Sequence, residues 1–105
     1  MAIAIDRLDH LVLTVADIEA TSAFYTRVLG MTRQSFGQGR TALQFGRCKI
    51  NLHQRGKEFE PKAERPTPGS ADLCLIAAVP LDQVIGHVKA CGVPIEQGPV
   101  VRTGA

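Results

Sequence analysis

Asp9-His10-Leu11-Val12-Leu13-Thr14-Val15 opens on a polar pair and then alternates in side-chain direction, as a strand does. Leu11, Leu13 and Val15 share one face, which suits a core under a helix; His10, Val12 and Thr14 share the other. Asp17 follows with a carboxylate suited to the free amides of a first helical turn. The spacing of Ile18, Phe24, Tyr25, Val28 and Leu29 predicts a helix over Ile18–Leu29 with one apolar stripe. Gly30 stands where the chain must leave that helix through a left-handed conformation.

Three short strands are expected next, over Met31–Phe36, Arg40–Phe45 and Cys48–His53. Gly37-Gln38-Gly39 and Gly46-Arg47 have the composition of the hairpin turns between them. In the last strand Cys48, Ile50 and Leu52 fall on one face, and Lys49, Asn51 and His53 on the other. The first half therefore reads β-α-β-β-β, about residues 8–53, beginning and ending on a histidine.

Residues 54–69 read as a charged linker interrupted by Pro61, Pro66 and Pro68, with Phe59 as a candidate anchor to the body of the domain. The opening pattern then returns at Ala71-Asp72-Leu73-Cys74-Leu75-Ile76-Ala77. Here Asp72 takes the place of His10, and Leu73, Leu75 and Ala77 that of the core-facing residues. A helix is expected from Leu81 to about Ala90, then a strand over Val93–Glu96 and the start of another at Val100–Arg102. A second unit of the same length, begun at Asp72, would run past Ala105. The expected fold class is α+β: two βαβββ modules forming a cupped half-barrel sheet, the second (about 70–105) truncated at its C-terminus.

Composition narrows the function. The chain is 45% apolar and 21% charged, with a net charge of +2, too small to argue for nucleic acid or an anionic membrane. No stretch approaches the ~20 apolar residues of a membrane span, and no signal peptide is read at the N-terminus. Cys48, Cys74 and Cys91 are odd in number and widely spaced, which suits a reducing compartment, with cytoplasm the expected location.

The ordered set of a DH start, the helix "ATSAFYTRVLGM", a histidine on the fourth strand, and the segments "NLHQRGKEFEPKA", "PGSADLCLI" and "GPVVRTGA" resembles the vicinal-oxygen-chelate superfamily. That group holds glyoxalase I, the bleomycin and fosfomycin resistance proteins and the extradiol dioxygenases, and the likeness is nearest to its small glyoxalase-domain or biphenyl-diol-dioxygenase-related proteins. The resemblance implies a divalent metal (Zn, Ni, Fe or Mn) held by His10 and His53 from the first unit and Asp72 from the second. It also implies a fourth, carboxylate ligand that this sequence does not contain. Imidazole and carboxylate suit such ions, and open positions let a substrate with neighbouring oxygens chelate the metal, which then acts as a Lewis acid.

The expected function is that of a metal-dependent glyoxalase or dioxygenase acting on a small vicinal-oxygen or glutathione-linked substrate. The alternatives are a metal-free module sequestering a toxic or drug-like ligand, as bleomycin-resistance proteins do, and an inactive truncated scaffold. Arg102 is a candidate for binding an anionic substrate. His87 is expected to be solvated on the second helix, and Cys74 to be small apolar filler beside Asp72. An open sheet edge points to a homodimer, with units exchanged between copies.

Overall fold

In the computed structural model, which describes residues 2–104, the first elements are β1 (His10–Val15), α1 (Ile18–Arg27), β2 (Thr32–Phe36), β3 (Arg40–Phe45) and β4 (Cys48–Gln54), and a second helix, α2, spans Leu81–Ala90. The chain divides between Leu73 and Cys74 into two compact units.

The first unit holds a four-stranded sheet in the order β1-β4-β3-β2. β2, β3 and β4 form an antiparallel meander, and β1 joins parallel to β4. The tight turns work through glycine: Gly46 (φ 51) carries the only positive φ of its two-residue turn, which suits a II′ hairpin. One face of the sheet is the core. Met31, Leu43, Ile50 and Leu52 are buried there, with Leu11, Leu13, Val15, Ile18, Tyr25 and Phe45 packed around them. The faces of β1 and β4 are thus divided as the alternation predicts.

α1 lies over that core and is fixed at both ends. Asp17 Oδ1 accepts from Ala20 N at 3.1 Å, satisfying one amide of the first turn. Gln54, the last residue of β4, completes the cap: its Oε1 accepts from Ile18 N at 3.0 Å, and its Nε2 donates to Ala16 O at 2.5 Å. At the far end Gly30 (φ 68) turns the chain so that Met31 N reaches back to Tyr25 O at 3.2 Å. The helix therefore stops at Arg27, short of Leu29, and β2 starts at Thr32 rather than Met31, because Met31 serves the turn and the core. Arg33 on β2 makes a two-pronged ion pair with Glu19 on α1 at 2.6 and 2.7 Å, holding that helix in register with the sheet edge.

The second unit departs from expectation. α2 covers the expected residues, but the strands expected over residues 72–77, Val93–Glu96 and Val100–Arg102 are not formed. A strand persists by exchanging main-chain hydrogen bonds with a neighbour. β1 finds that neighbour in β4, whereas no segment of the described residues offers a ladder to residues 72–77. Their apolar side chains accordingly stay in solvent, with Ile76 91% exposed. Cys74 is exposed too, so it is not the buried filler the strand pattern implied. α2 carries no buried residue, and its N-cap, Pro80, makes no side-chain hydrogen bond.

The linker also differs from a free connection. It belongs with the first unit, and Phe59 anchors it as expected, its ring centroid 5.6 Å from that of His53 in an edge-to-face pair.

Candidate functional site

The face of the sheet opposite the core is polar, and the register of β1 on β4 decides which of its groups meet. His10 stands beside Lys49, Val12 beside Asn51 and Thr14 beside His53. β3 adds Gln44 beside Lys49 and Ala42 beside Asn51.

His10 occupies the first position of β1, with its side chain 42% exposed. Asp9 Oδ2 lies 2.8 Å from His10 Nδ1, and this hydrogen bond is the main reason the Asp9 carboxyl is held below the usual range. A ring that donates from Nδ1 keeps its lone pair on Nε2, the arrangement in which a histidine serves as a metal ligand. Sequence reading marked the DH pair as a signature; the structure gives Asp9 a physical task within it.

His53 lives in a different setting. It is only 8% exposed, covered by Phe59, and its Nδ1 is buried with no hydrogen-bond partner. Burial lowers its pKa below the ordinary 6.5, Arg40 pushes the same way, and Glu58 opposes them. The ring is therefore neutral at pH 7 and has a free nitrogen inside the protein. Arg40 shares this corner, its guanidinium carbon 5.1 Å from the Phe59 ring centroid.

His10 and His53 are not neighbours. His53 lies four residues beyond the partner of His10 on β4, which at ~3.3 Å of rise per residue puts about 13 Å between them along the strands. The structure thus places both on the expected face but does not bring them to one point. The same-face group of β4 next along from Lys49 is Asn51, and its Oδ1 is a buried acceptor with no partner. An unsatisfied buried carbonyl is a hard oxygen donor waiting for a hydrogen or a cation. Nothing in the sequence distinguished Asn51 from any polar strand residue; only burial does.

The remaining candidates lie elsewhere. Asp72 is exposed and outside any strand. Arg102, in the second unit, is hydrogen-bonded to Gln97. His87 is exposed on α2, as expected, with its Nε2 3.5 Å from Cys91 Sγ. Among the described residues no cluster of three or more His, Cys, Asp or Glu side chains forms a ready metal cage. The donors that fit a cation are thus His10 Nε2 and Asn51 Oδ1, a partial set with room for further ligands.

The βαβββ unit, its sheet polar on one face and apolar on the other, has the fold of the vicinal-oxygen-chelate proteins. The chain belongs to the Glyoxalase/Bleomycin resistance protein/Dioxygenase superfamily, whose model matches residues 7–100. It is 58% identical over 101 residues to a virulence protein of Salmonella typhimurium, covering 96% of this chain and 70% of that one. The crystal structure of that virulence protein superposes with a TM-score of 0.94, at 57% identity, over 98% of this chain and 82% of the other. A glyoxalase domain-containing protein of Mycosarcoma maydis is 52% identical over 103 residues, which are 98% of this chain and 58% of that protein. The E126Q mutant of the fosfomycin resistance protein FosX of Listeria monocytogenes, complexed with Mn(II) and dihydroxypropylphosphonic acid, is similar in fold alone. It has a TM-score of 0.57 at 21% identity, over 93% of this chain and 75% of that one. Among the described residues no helix is long and apolar enough to cross a membrane.

Proposed function

We propose that the polar sheet face of the first unit is one side of a divalent-metal site for a small substrate with neighbouring oxygens, in a protein of glyoxalase or dioxygenase type. The Asp9–His10 hydrogen bond carries this reading, because it leaves His10 Nε2 as a directed lone pair at the open end of the sheet. Asn51 Oδ1 is the nearest unsatisfied donor to it on β4. When bound, a Zn, Ni, Fe or Mn ion would act there as a Lewis acid toward substrate oxygens.

The residues of the chain divide the remaining work. His10 binds the ion and Asp9 holds its ring in the ligating tautomer. Lys49 and Arg40 supply positive charge on the same face, which suits an oxygenated, anionic or glutathione-linked substrate. To His53, buried at the other end of the ladder with its pKa lowered by burial, this reading gives the task of accepting a proton or a hydrogen bond from substrate, in place of the metal-ligand role the family likeness implies. Asp72 is the proposed carboxylate ligand and Arg102 a proposed contact to substrate, both on the strength of the family likeness.

The partial ligand set favours a second reading, a metal-free module that binds a small toxic compound in the same face. Metal analysis separates the two: purified protein dialysed against Zn, Ni, Fe or Mn should retain about one ion per site, and His10→Ala should lose it. Retention of the full metal load by His10→Ala overturns the metal reading.

A homodimer is proposed from the open edge of β1, which pairs with β4 on one side only and leaves main-chain groups free on the other. Light scattering at tens of micromolar, about 10 to 50, should give twice the chain mass. A monomer at those concentrations overturns it.

A further inference from the structure

The last turn of α2, in the second unit, carries a pair of donors that the polar sheet face does not use. His87 and Cys91 are four residues apart, about one helical turn, so both project from the same side of the helix. His87 Nε2 lies 3.5 Å from Cys91 Sγ. His87 is exposed, and Cys91 is half-buried at the C-cap.

That spacing fits two uses. One is a thiol–imidazole hydrogen bond, a weak interaction because S–H is a poor donor. The other is one edge of a coordination tetrahedron. Zinc–sulfur and zinc–nitrogen bonds of ~2.3 and ~2.0–2.1 Å, set at the tetrahedral angle of ~109°, hold their ligand atoms about 3.5–3.6 Å apart. The two side chains already stand at that separation. Two imidazoles at the same four-residue spacing hold zinc on helices in the same way.

The surroundings favour a soft cation. The pair sits at the C-terminal, partially negative end of α2. Lys89 is in the same turn, but two residues from His87 it projects from another side of the helix. Sulfur and imidazole nitrogen select zinc, whereas magnesium and calcium take oxygen donors. Among the described residues no third His, Cys, Asp or Glu side chain joins the pair.

We propose that His87 and Cys91 form a two-residue zinc site at the end of α2, its remaining positions filled by water. On binding, the Cys91 thiol releases its proton to solvent and the sulfur binds as thiolate; His87 binds through the Nε2 lone pair, with its proton on Nδ1. The ion clips the last turn of a helix that spans ten residues, buries none of them and has no side-chain hydrogen bond at its N-cap. Helices shorter than ~12–15 residues are marginal alone, so such a clip adds to its stability. The site does not depend on the metal reading of His10, whose neighbourhood offers nitrogen and oxygen donors but this one sulfur.

The test is titration of the full, reduced chain with cobalt(II), which stands in for zinc and reports a sulfur ligand through a near-ultraviolet thiolate-to-cobalt charge-transfer band. The wild type should show the band, and zinc should bleach it by displacing cobalt, while magnesium in large excess should not. Cys91→Ser should abolish the band, and His87→Ala should weaken cobalt binding at least about tenfold. His10→Ala and Cys74→Ser should keep it, which separates failure here from failure of the site at His10. In the unaltered chain zinc should slow alkylation of Cys91 but not of the exposed Cys74, as read by peptide mass spectrometry. Absence of the band in the wild type overturns the proposal. So does its survival in Cys91→Ser, unchanged affinity in His87→Ala, its loss in His10→Ala or Cys74→Ser, its displacement by magnesium, or alkylation of Cys91 at the same rate with and without zinc.

Discussion

His10 and His53 stand at opposite ends of the β1–β4 ladder, His10 beside Lys49 and His53 beside Thr14. A metal ligand lies ~2.0–2.2 Å from its ion, so two imidazoles separated by about 13 Å of strand do not share one. Substitution of the two should therefore have unlike consequences. His10→Ala is expected to lose bound metal, while His53→Ala keeps it and instead impairs whatever turnover the protein shows. Elemental analysis of both variants after dialysis checks this, and equal metal loss in the two would refute it.

Asp9 acts on the ion through His10. Asp9→Asn should weaken divalent-metal affinity by about 10- to 100-fold, the range found for carboxylates that orient a ligating histidine. Competition with a chelating dye measures it. The fold should be unchanged, because Asp9 is exposed. An unchanged affinity would mean that the pair only decorates the start of the strand.

Burial makes His53 a source of acid sensitivity. In the unfolded chain it takes up a proton near its ordinary pKa of 6.5, but in the folded protein only at lower pH. Between those values the unfolded state holds more protons, so the contribution is present above 6.5 and is lost as pH falls through that window. Urea midpoints at about pH 7.5 and about pH 5.5 should fall further for the wild type than for His53→Gln. Phe59→Ala, which uncovers the ring, should raise the His53 pKa toward 6.5 in an NMR titration.

Gln54 joins the end of β4 to the start of α1 by two hydrogen bonds. At ~0.5–1.5 kcal/mol each, Gln54→Ala should cost about 1–3 kcal/mol, read as a lower urea midpoint at unchanged m-value. Ile50→Ala, at a fully buried site in the middle of the sheet, should cost more, about 2–5 kcal/mol. If Gln54→Ala is neutral, α1 is held by Asp17 and packing alone.

The sequence by itself determined the first unit. Alternation over Leu11–Val15 and over Cys48–His53, the helical stripe after Asp17 and the glycines at the turns are local patterns, and each sets a local conformation. They sufficed to place β1 and β3 to the residue, and to put His10, Asn51 and His53 on the polar face. The same alternation over residues 72–77 was equally legible, yet no strand forms there, because a strand depends on a partner that local sequence does not name. Only the tertiary structure decided the register of β1 on β4, and through it the separation of the two histidines. It alone showed the Gln54 cap and the unsatisfied Asn51 Oδ1. Each of these arises where residues distant in sequence meet and exclude water, and periodicity along one segment carries no record of what lies across the gap.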